Sequence, residues 1–477
     1  MSPSFDYLKV CLIKSVADSS PMRTRTRRLT AIITLFKPRL KDLCGMWLMV
    51  PFALAAESPP HDVVLSAAQF ATYSEMVRTN HPALRAAHER RLSAEAAQSA
   101  VRAVADPTVR ASVSASSSRG PRNSEDGNLG YGVEQRLPIM GKENAARELA
   151  AREASSASVQ EQVAFETVRR DAVRALLQLA RAEQELALNQ EDNDWHALEA
   201  RTSRARYEAG EGSSLDVLRF ESEHAQRRTM LQLAEQEVAA RRGSANRALG
   251  FLPEHPLATF QLPELVEAPA YNQTLAASAA GHSALVRKVV ADLNRAEQQV
   301  KVTQRSGRPD ITVGLESSHY SGDGGWREGF LTVSSTLPWF NRSRYRKDVE
   351  RDAALLRAVK ADLADVRLTA QSDLFNWLTA ANTAALDANN QQREVLPRAE
   401  AAFQAALTAW IGGKATLTEL FETRRLVIES RLRRLHAVAD QWEALNEVAF
   451  LCGDDLTSLL RQVASERTGT NSESKKP

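Results

Sequence analysis

Five landmarks occur twice in this chain, in the same order and about two hundred residues apart. NHPAL (80–84) is answered by GHSAL (281–285), and DP (106–107) by RP (308–309). LPIMGK (137–142) is answered by LPWFNR (337–342), YEAG (207–210) by WIGG (410–413), and ALG (248–250) by LCG (451–453). The offsets run 201, 202, 200, 203 and 203, so the copies stay in register apart from small insertions. Such a chain is one structural unit written twice, and whatever it folds into must be built from two copies of the same grammar.

Each copy opens with a helix pair and passes an X-Pro into a strand-like segment. Val109, Ala111, Val113 and Ala115 alternate with Arg110, Ser112, Ser114 and Ser116; Ile311, Val313 and Leu315 alternate with Thr312, Gly314 and Glu316. This period of two marks strands with one apolar face. Gly/Ser/Asn/Asp-rich turns follow, and the return strands place Leu129, Tyr131, Val133 and Leu137, then Leu331, Val333 and Leu337, on one face. At about ten residues each, the strands match what a tilted strand needs to cross a bilayer. Long helices come next. Residues 142–207 contain no proline, and from Arg342 none occurs until Pro397. Val349, Leu356, Leu363, Ala370 and Trp377 recur every seven residues, with Val359 and Val366 at the companion position, which predicts a coiled-coil seam. Glycines at 210 and 413 then turn each helix back into a second one. Four strands cannot close a barrel, so the pattern requires oligomerisation to hide the sheet edges.

Charge and composition remove several classes. Lys+Arg 61 against Asp+Glu 59 leaves a formal +2, with no basic field for nucleic acid. A mean hydropathy of -0.35 excludes a polytopic helical membrane protein. Residues 1–56 read as a secretory leader: Arg23, Arg25, Arg27, Arg28, Lys37, Arg39 and Lys41 precede an apolar stretch at 43–55, ending in Ala53-Leu54-Ala55. Met22 is an alternative start. Cleavage would leave Cys452 as the sole cysteine, so no intrachain disulfide is expected. The destination implied is the periplasm or outer membrane.

No catalytic constellation is present. His81 and His88 lie seven apart but lack nearby cysteine or acidic ligands in the sequence, so no metal site is assigned. The glycine run at 319–330 lacks the Lys-Ser/Thr and following helix of a phosphate cradle and reads as a hairpin loop. Neither cofactor nor catalytic residue is expected.

Together, the strand-exit words LPIMGK and LPWFNR, EVLPRAE (394–400), YEAGEGSSLDVL, WIGGKATLTELF and the closing Leu-Gly or Cys-Gly resemble the TolC-like outer-membrane efflux family over residues 63–453. The wording of the strand exits is similar to its heavy-metal branch. The resemblance implies a mainly α fold with β: two tandem repeats, each a helix pair, a β-hairpin and a long coiled-coil helical hairpin. Three chains would share a twelve-stranded β-barrel over a periplasmic α-barrel. Repeat 1 then spans 57–255, with its β-hairpin near 108–137 and helical hairpin near 142–250. Repeat 2 spans 256–460, with the corresponding parts near 310–337 and 342–453, before a disordered tail at 461–477.

Function follows from the same resemblance: a passive outer-membrane exit duct of a tripartite pump, joined by a periplasmic adaptor to an inner-membrane transporter of the resistance-nodulation-division type. Cargo would be heavy-metal cations or organic compounds. The family's paired gate acids fall on Glu419 and Glu422, with Asp216 and Arg219 at the equivalent positions of repeat 1. The family's basic gate partner falls on Ala415, next to Lys414. Gly210 and Gly413, with Tyr207 and Trp410, would be the hairpin tips where an adaptor docks, and Pro138 and Pro338 the boundary between membrane and periplasm. A soluble periplasmic coiled-coil adaptor or scaffold is the competing reading of the leader and long helices.

Overall fold

The computed structural model describes residues 63–101, 104–115, 127–320, 326–456 and 458–459. The expected leader, the tips of both β-hairpin turns and the expected tail lie outside the described residues. Repeat 1 consists of β1 (Val63–Val64), α1 (Ala67–Asn80), α2 (Pro82–Ala100), β2 (Thr108–Ala115), β3 (Gly127–Leu137), α3 (Lys142–Glu208) and α4 (Ser214–Leu249). Repeat 2 follows with β4 (Phe260–Gln261), α5 (Gln273–His282), α6 (Ala284–Ser306), β5 (Ile311–Tyr320) and β6 (Trp326–Ser335). A 3₁₀ turn at Pro338–Asn341 leads into α7 (Arg342–Asn390), a π turn at Gln391–Val395, α8 (Leu396–Ile411) and α9 (Leu417–Cys452).

The landmarks identified in the sequence are the places where these elements stop and start. His81 ends α1 and caps α2, its Nδ1 accepting from Ala83 N at 3.2 Å, with Pro82 pre-set at the first helical position. Gly250 and Gly453 end α4 and α9 at φ +87° and +73°. A Cβ on Gly250 would meet the backbone of His81, and one on Gly453 the carbonyl of His282. The two landmarks furthest apart within each repeat therefore touch, and in both copies the contact leaves room only for glycine. Helix α3 runs 67 residues without a break, on the order of 100 Å at ~1.5 Å per residue.

β2, β3, β5 and β6 form one antiparallel sheet in the order β2-β3-β5-β6, so the two hairpins are joined edge to edge through β3 and β5. Register puts Val109 opposite Val133, Val133 opposite Leu315, and Leu315 opposite Leu331. Opposed residues share a face, so one apolar face runs across all four strands. Val109, Val113, Leu315, Leu331 and Val333 on it are 65–80% exposed, so nothing in the described chain covers them. The opposite face carries Arg110, Gly132, Glu134 and Glu316, with an Arg110–Glu134 ion pair at 3.0 Å. β2 and β6 each have one partner, so a single chain leaves the sheet open.

Below the sheet, α6 lies between α3 and α7. The expected heptad forms: Val349, Val359, Leu363, Val366 and Ala370 point inward, and Leu363, Val366 and Ala370 pack with Val286, Val289, Val290 and Leu293 of α6. One seam position is polar. Asp352 is buried there and accepts from Thr303 Oγ1 at 2.5 Å and Arg351 Nε at 2.7 Å. The main core lies lower, where α3, α7 and the second half of α9 meet α5 and the linker between the repeats. Cys452 sits in that core, and burial pushes its thiol up to about 11, which makes it unreactive.

Three features adjust or add to the sequence expectation. β6 ends at Ser335 rather than Leu337, because the chain already turns into the 3₁₀ segment; past it, the Thr336 N–H reaches Asp310 O at 3.1 Å and the Asp310 N–H reaches Thr336 Oγ1 at 2.8 Å. The linker is not free: β4 pairs in parallel with β1, Val63 opposite Phe260, tying the start of repeat 1 to the start of repeat 2. Pro397 does not end the helix. The π turn directly before it widens the winding where the proline, lacking an N–H, would otherwise collide with the preceding turn.

Candidate gate and hairpin tips

Both helical hairpins end in the same device. In repeat 1 the N–H of Glu211 bonds to Arg206 O at 2.9 Å and that of Gly210 to Tyr207 O at 3.0 Å. In repeat 2 Lys414 bonds to Ala409 O at 2.8 Å and Gly413 to Trp410 O at 3.0 Å. This is the paired 6→1 and 5→2 closure that stops a helix when the next residue can turn left-handed, and Gly210 and Gly413 have φ +78° and +69°. A Cβ on either glycine would meet nothing within 4 Å, so backbone conformation, not space, sets the residue. Each return helix restarts from a cap, Ser213 for α4 and Thr416 for α9.

Tyr207 and Trp410 occupy equivalent positions but not equivalent surroundings. Tyr207 is half exposed. Trp410 packs edge-on against Phe220 with ring centroids 5.7 Å apart, and Arg206 lies 4.6 Å over its face.

Glu419 and Glu422 both lie exposed on the first two turns of α9. Glu419 also caps the helix. Its carboxylate accepts from Thr416 N at 2.9 Å while Thr416 Oγ1 accepts from Glu419 N, a complete capping box. Asp216 lies in the first turn of α4. Arg219 reaches across the tips, its Nη1 donating to Thr418 Oγ1 at 3.3 Å. At the strand exits, Pro138 directly follows the last residue of β3, and Pro338 opens the 3₁₀ turn.

Sequence reasoning missed what lies above the tips. There Trp195, Phe220, Phe403 and Phe421 form an aromatic core between the two hairpins. Inside it Arg424 of α9 donates from Nε to Asp192 of α3 at 3.0 Å, with both side chains buried, and Arg227 of α4 lies 3.4 Å from the same carboxylate. His196, one turn on, is buried between Trp195 and Phe421 with no partner for Nδ1. Burial, then the charges of Arg227, Arg424 and His224, push its imidazole down to about 3. The only sequence trace of this cluster is an Asp and a His four apart on a long helix. The two histidines seven apart in the sequence serve other purposes: His81 is a cap, and His88 bonds to Glu161 at 2.9 Å. Among the described residues no three His, Cys, Asp or Glu side chains gather as a metal site.

Both repeats match the family model described as outer membrane efflux protein, over residues 74–250 and 275–454. The chain is 25% identical over 304 residues to the cobalt-zinc-cadmium resistance protein CzcC of Cupriavidus metallidurans, covering 60% of this chain and 68% of the relative. Its fold is similar to the outer-membrane channel OprN (TM-score 0.72, 17% identity, 82% of this chain and 91% of that one). It is also similar to VceC of Vibrio cholerae (0.68, 17%, 82% and 97%) and to CusC (0.69, 14%, 87% and 99%).

Proposed function

We propose, because the chain belongs to the outer membrane efflux protein family, that it works as a homotrimeric passive duct coupled through a periplasmic adaptor to an inner-membrane pump of the resistance-nodulation-division type. That it is an outer-membrane efflux channel reaching into the periplasm, not an enzyme, follows from the family and the shared fold. A soluble adaptor is not favoured, since both repeats match the channel family. The observation that carries the trimer is the open four-stranded sheet with its uncovered apolar face. Three such sheets joined edge to edge would satisfy β2 and β6 and turn the apolar face to lipid. A heat-modifiable trimer in the outer-membrane fraction is expected; a monomer released by osmotic shock would overturn the reading.

The cargo we assign is divalent transition-metal cations, supported by the named function of the curated relative and by the acids at the tips. Strains lacking this protein should become sensitive to cobalt, zinc or cadmium. Sensitivity confined to drugs and organic compounds would refute the assignment.

The gate we propose is Glu419 and Glu422, with Asp216 as the repeat 1 counterpart of Glu419. Three copies of each acid around a trimer axis would favour cations over anions. Glu419→Gln keeps the capping box, since glutamine serves equally at that position, while removing the charge. In planar bilayers, Glu419→Gln with Glu422→Gln should reduce cation selectivity; an unchanged reversal potential would move the gate elsewhere. Gly210, Gly413 and exposed Tyr207 are the proposed adaptor contacts, with Trp410 holding the tip from inside. Pro138 and Pro338 are the proposed membrane boundary.

A further inference from the structure

We propose that the start of α7, with the aromatic pair before it, docks anionic phospholipid headgroups in the periplasm-facing leaflet of the outer membrane. This rests on the duct reading above. Just past the end of β6, the half-exposed Leu337 is followed by Trp339 and Phe340, 58% and 78% exposed. Exposed aromatic side chains at this level suit the boundary between acyl chains and headgroups. Arg342, Arg344, Arg346 and Lys347 follow before the first acid of the helix, Asp348. The side chains of Arg344, Arg346 and Lys347 are 71–76% exposed. Five residues of helix rise ~8 Å, and the headgroup layer on one side of a bilayer is about 5–8 Å deep. The cations therefore occupy one headgroup layer, directly below the aromatic pair.

The same joint in repeat 1 is neutralised from within. Lys142 pairs with Asp310 at 3.0 Å and Arg136 with Glu143 at 2.8 Å, while Arg305 and Arg308 donate to the carbonyls of Gly141 and Met140. In repeat 2, Arg342 makes no side-chain hydrogen bond or ion pair among the described residues. Arg344 and Arg346 reach Asp348 and Glu350 only at 4.0 and 3.9 Å, and Lys347 alone is closely held, 2.6 Å from Glu350. Exposed pairs of that length contribute little. The first turn of α7 has no acid, whereas those of α3, α4 and α9 hold Glu143, Asp216 and Glu419. Cations there oppose the helix dipole, and negative charge outside the protein would relieve that opposition. An amphiphile with an anionic head satisfies the aromatic pair and the cations together.

The test uses the purified full-length channel in neutral detergent, offered equal amounts of phosphatidylglycerol and phosphatidylcholine of matched chains, with retained lipid counted by native mass spectrometry. The wild type should retain the anionic lipid at least about five-fold over the zwitterionic one, roughly the gain of one cation at an anionic surface. Arg344→Gln/Arg346→Gln/Lys347→Gln should lose that preference. Arg357→Gln/Lys360→Gln/Arg367→Gln, with the same charge change lower on the same helix, should keep it. No preference in the wild type, or equal loss in both variants, overturns the proposal. Trimer mobility and bilayer conductance are measured on the same samples. A conducting trimer without lipid preference refutes only the docking surface, and a sample with neither trimer nor conductance refutes the duct as well.

Discussion

Repeat 1 and repeat 2 share every joint, yet their return helices have diverged. In α4, residues 234–249 bury only Ala245, Asn246 and Leu249. The equivalent stretch of α9 buries nearly everything from Ala437 to Cys452. This stretch of α9 packs against α3, α7 and α5, and the linker between repeats lies on it as well. Gln441 holds both the N–H and the carbonyl of Val266, and Trp442 Nε1 donates to Glu264 O at 3.0 Å. Their outgoing helices differ as well: α3 is unbroken, whereas its counterpart passes through a π turn and Pro397. Duplication thus copied the stops and starts, and packing then made one copy the scaffold and left the other with an open face.

The largest effect should come from cutting the bond between the copies. Asp192→Ala leaves buried Arg424 with only the half-exposed carboxylate of Glu191, 3.5 Å away, and should cost about 3 kcal/mol, read as a lower unfolding temperature. Asp192→Leu with Arg424→Met should recover most of it; no recovery would mean that the pair acts through more than its charges. Next come the glycine closures. Gly453→Ala and Gly250→Ala each force a left-handed residue against backbone, about 2–4 kcal/mol, and Gly453 should suffer more because α9 lies in the main core. Equal losses would show that the asymmetry in burial has no energetic weight.

The tips supply two finer comparisons. His196 has a folded pKa far below its unfolded value, so the unfolded chain binds its proton first. Stability is therefore complete above about pH 6.5 and falls as pH drops from there towards about 3, by roughly 2 kcal/mol after allowance for relaxation. His196→Phe should flatten that part of the protein's stability profile, and an unaltered slope would assign it to another group. Smallest is the tip glycine. Gly210→Ala and Gly413→Ala meet no atoms, so each should cost only about 1–2 kcal/mol of backbone strain. Loss of efflux with the trimer intact would sharpen the docking assignment, and normal efflux from Gly210→Val/Gly413→Val would break it.

Local chemistry made much of this visible in the sequence. Lys142 as a helix start, the stops at Gly210, Gly413, Gly250 and Gly453, and the alternation of Val109 to Val113 each depend on a few neighbouring residues. The seam of α7 is legible for the same reason, since a heptad is a local period. Less visible were β1 and β4, two residues each with no period to detect, and the π turn, which leaves the composition of a helix unchanged. The Asp192–Arg424 pair joins residues 232 apart in the chain, and neither residue differs locally from the solvated charges around it. His196 was invisible because its properties come from the aromatic rings that enclose it.

By itself, the sequence determined that two copies of one unit would be built, where the long helices turn back, and which face of each hairpin strand would be apolar. Those features are set by backbone conformation and by the short periods of strand, helix and heptad. Only the tertiary structure decided that both hairpins join into one sheet, that α9 rather than α4 becomes core, and that a buried ion pair ties the hairpins together near their tips. Such choices depend on which faces meet across more than a hundred residues, and no local period encodes that.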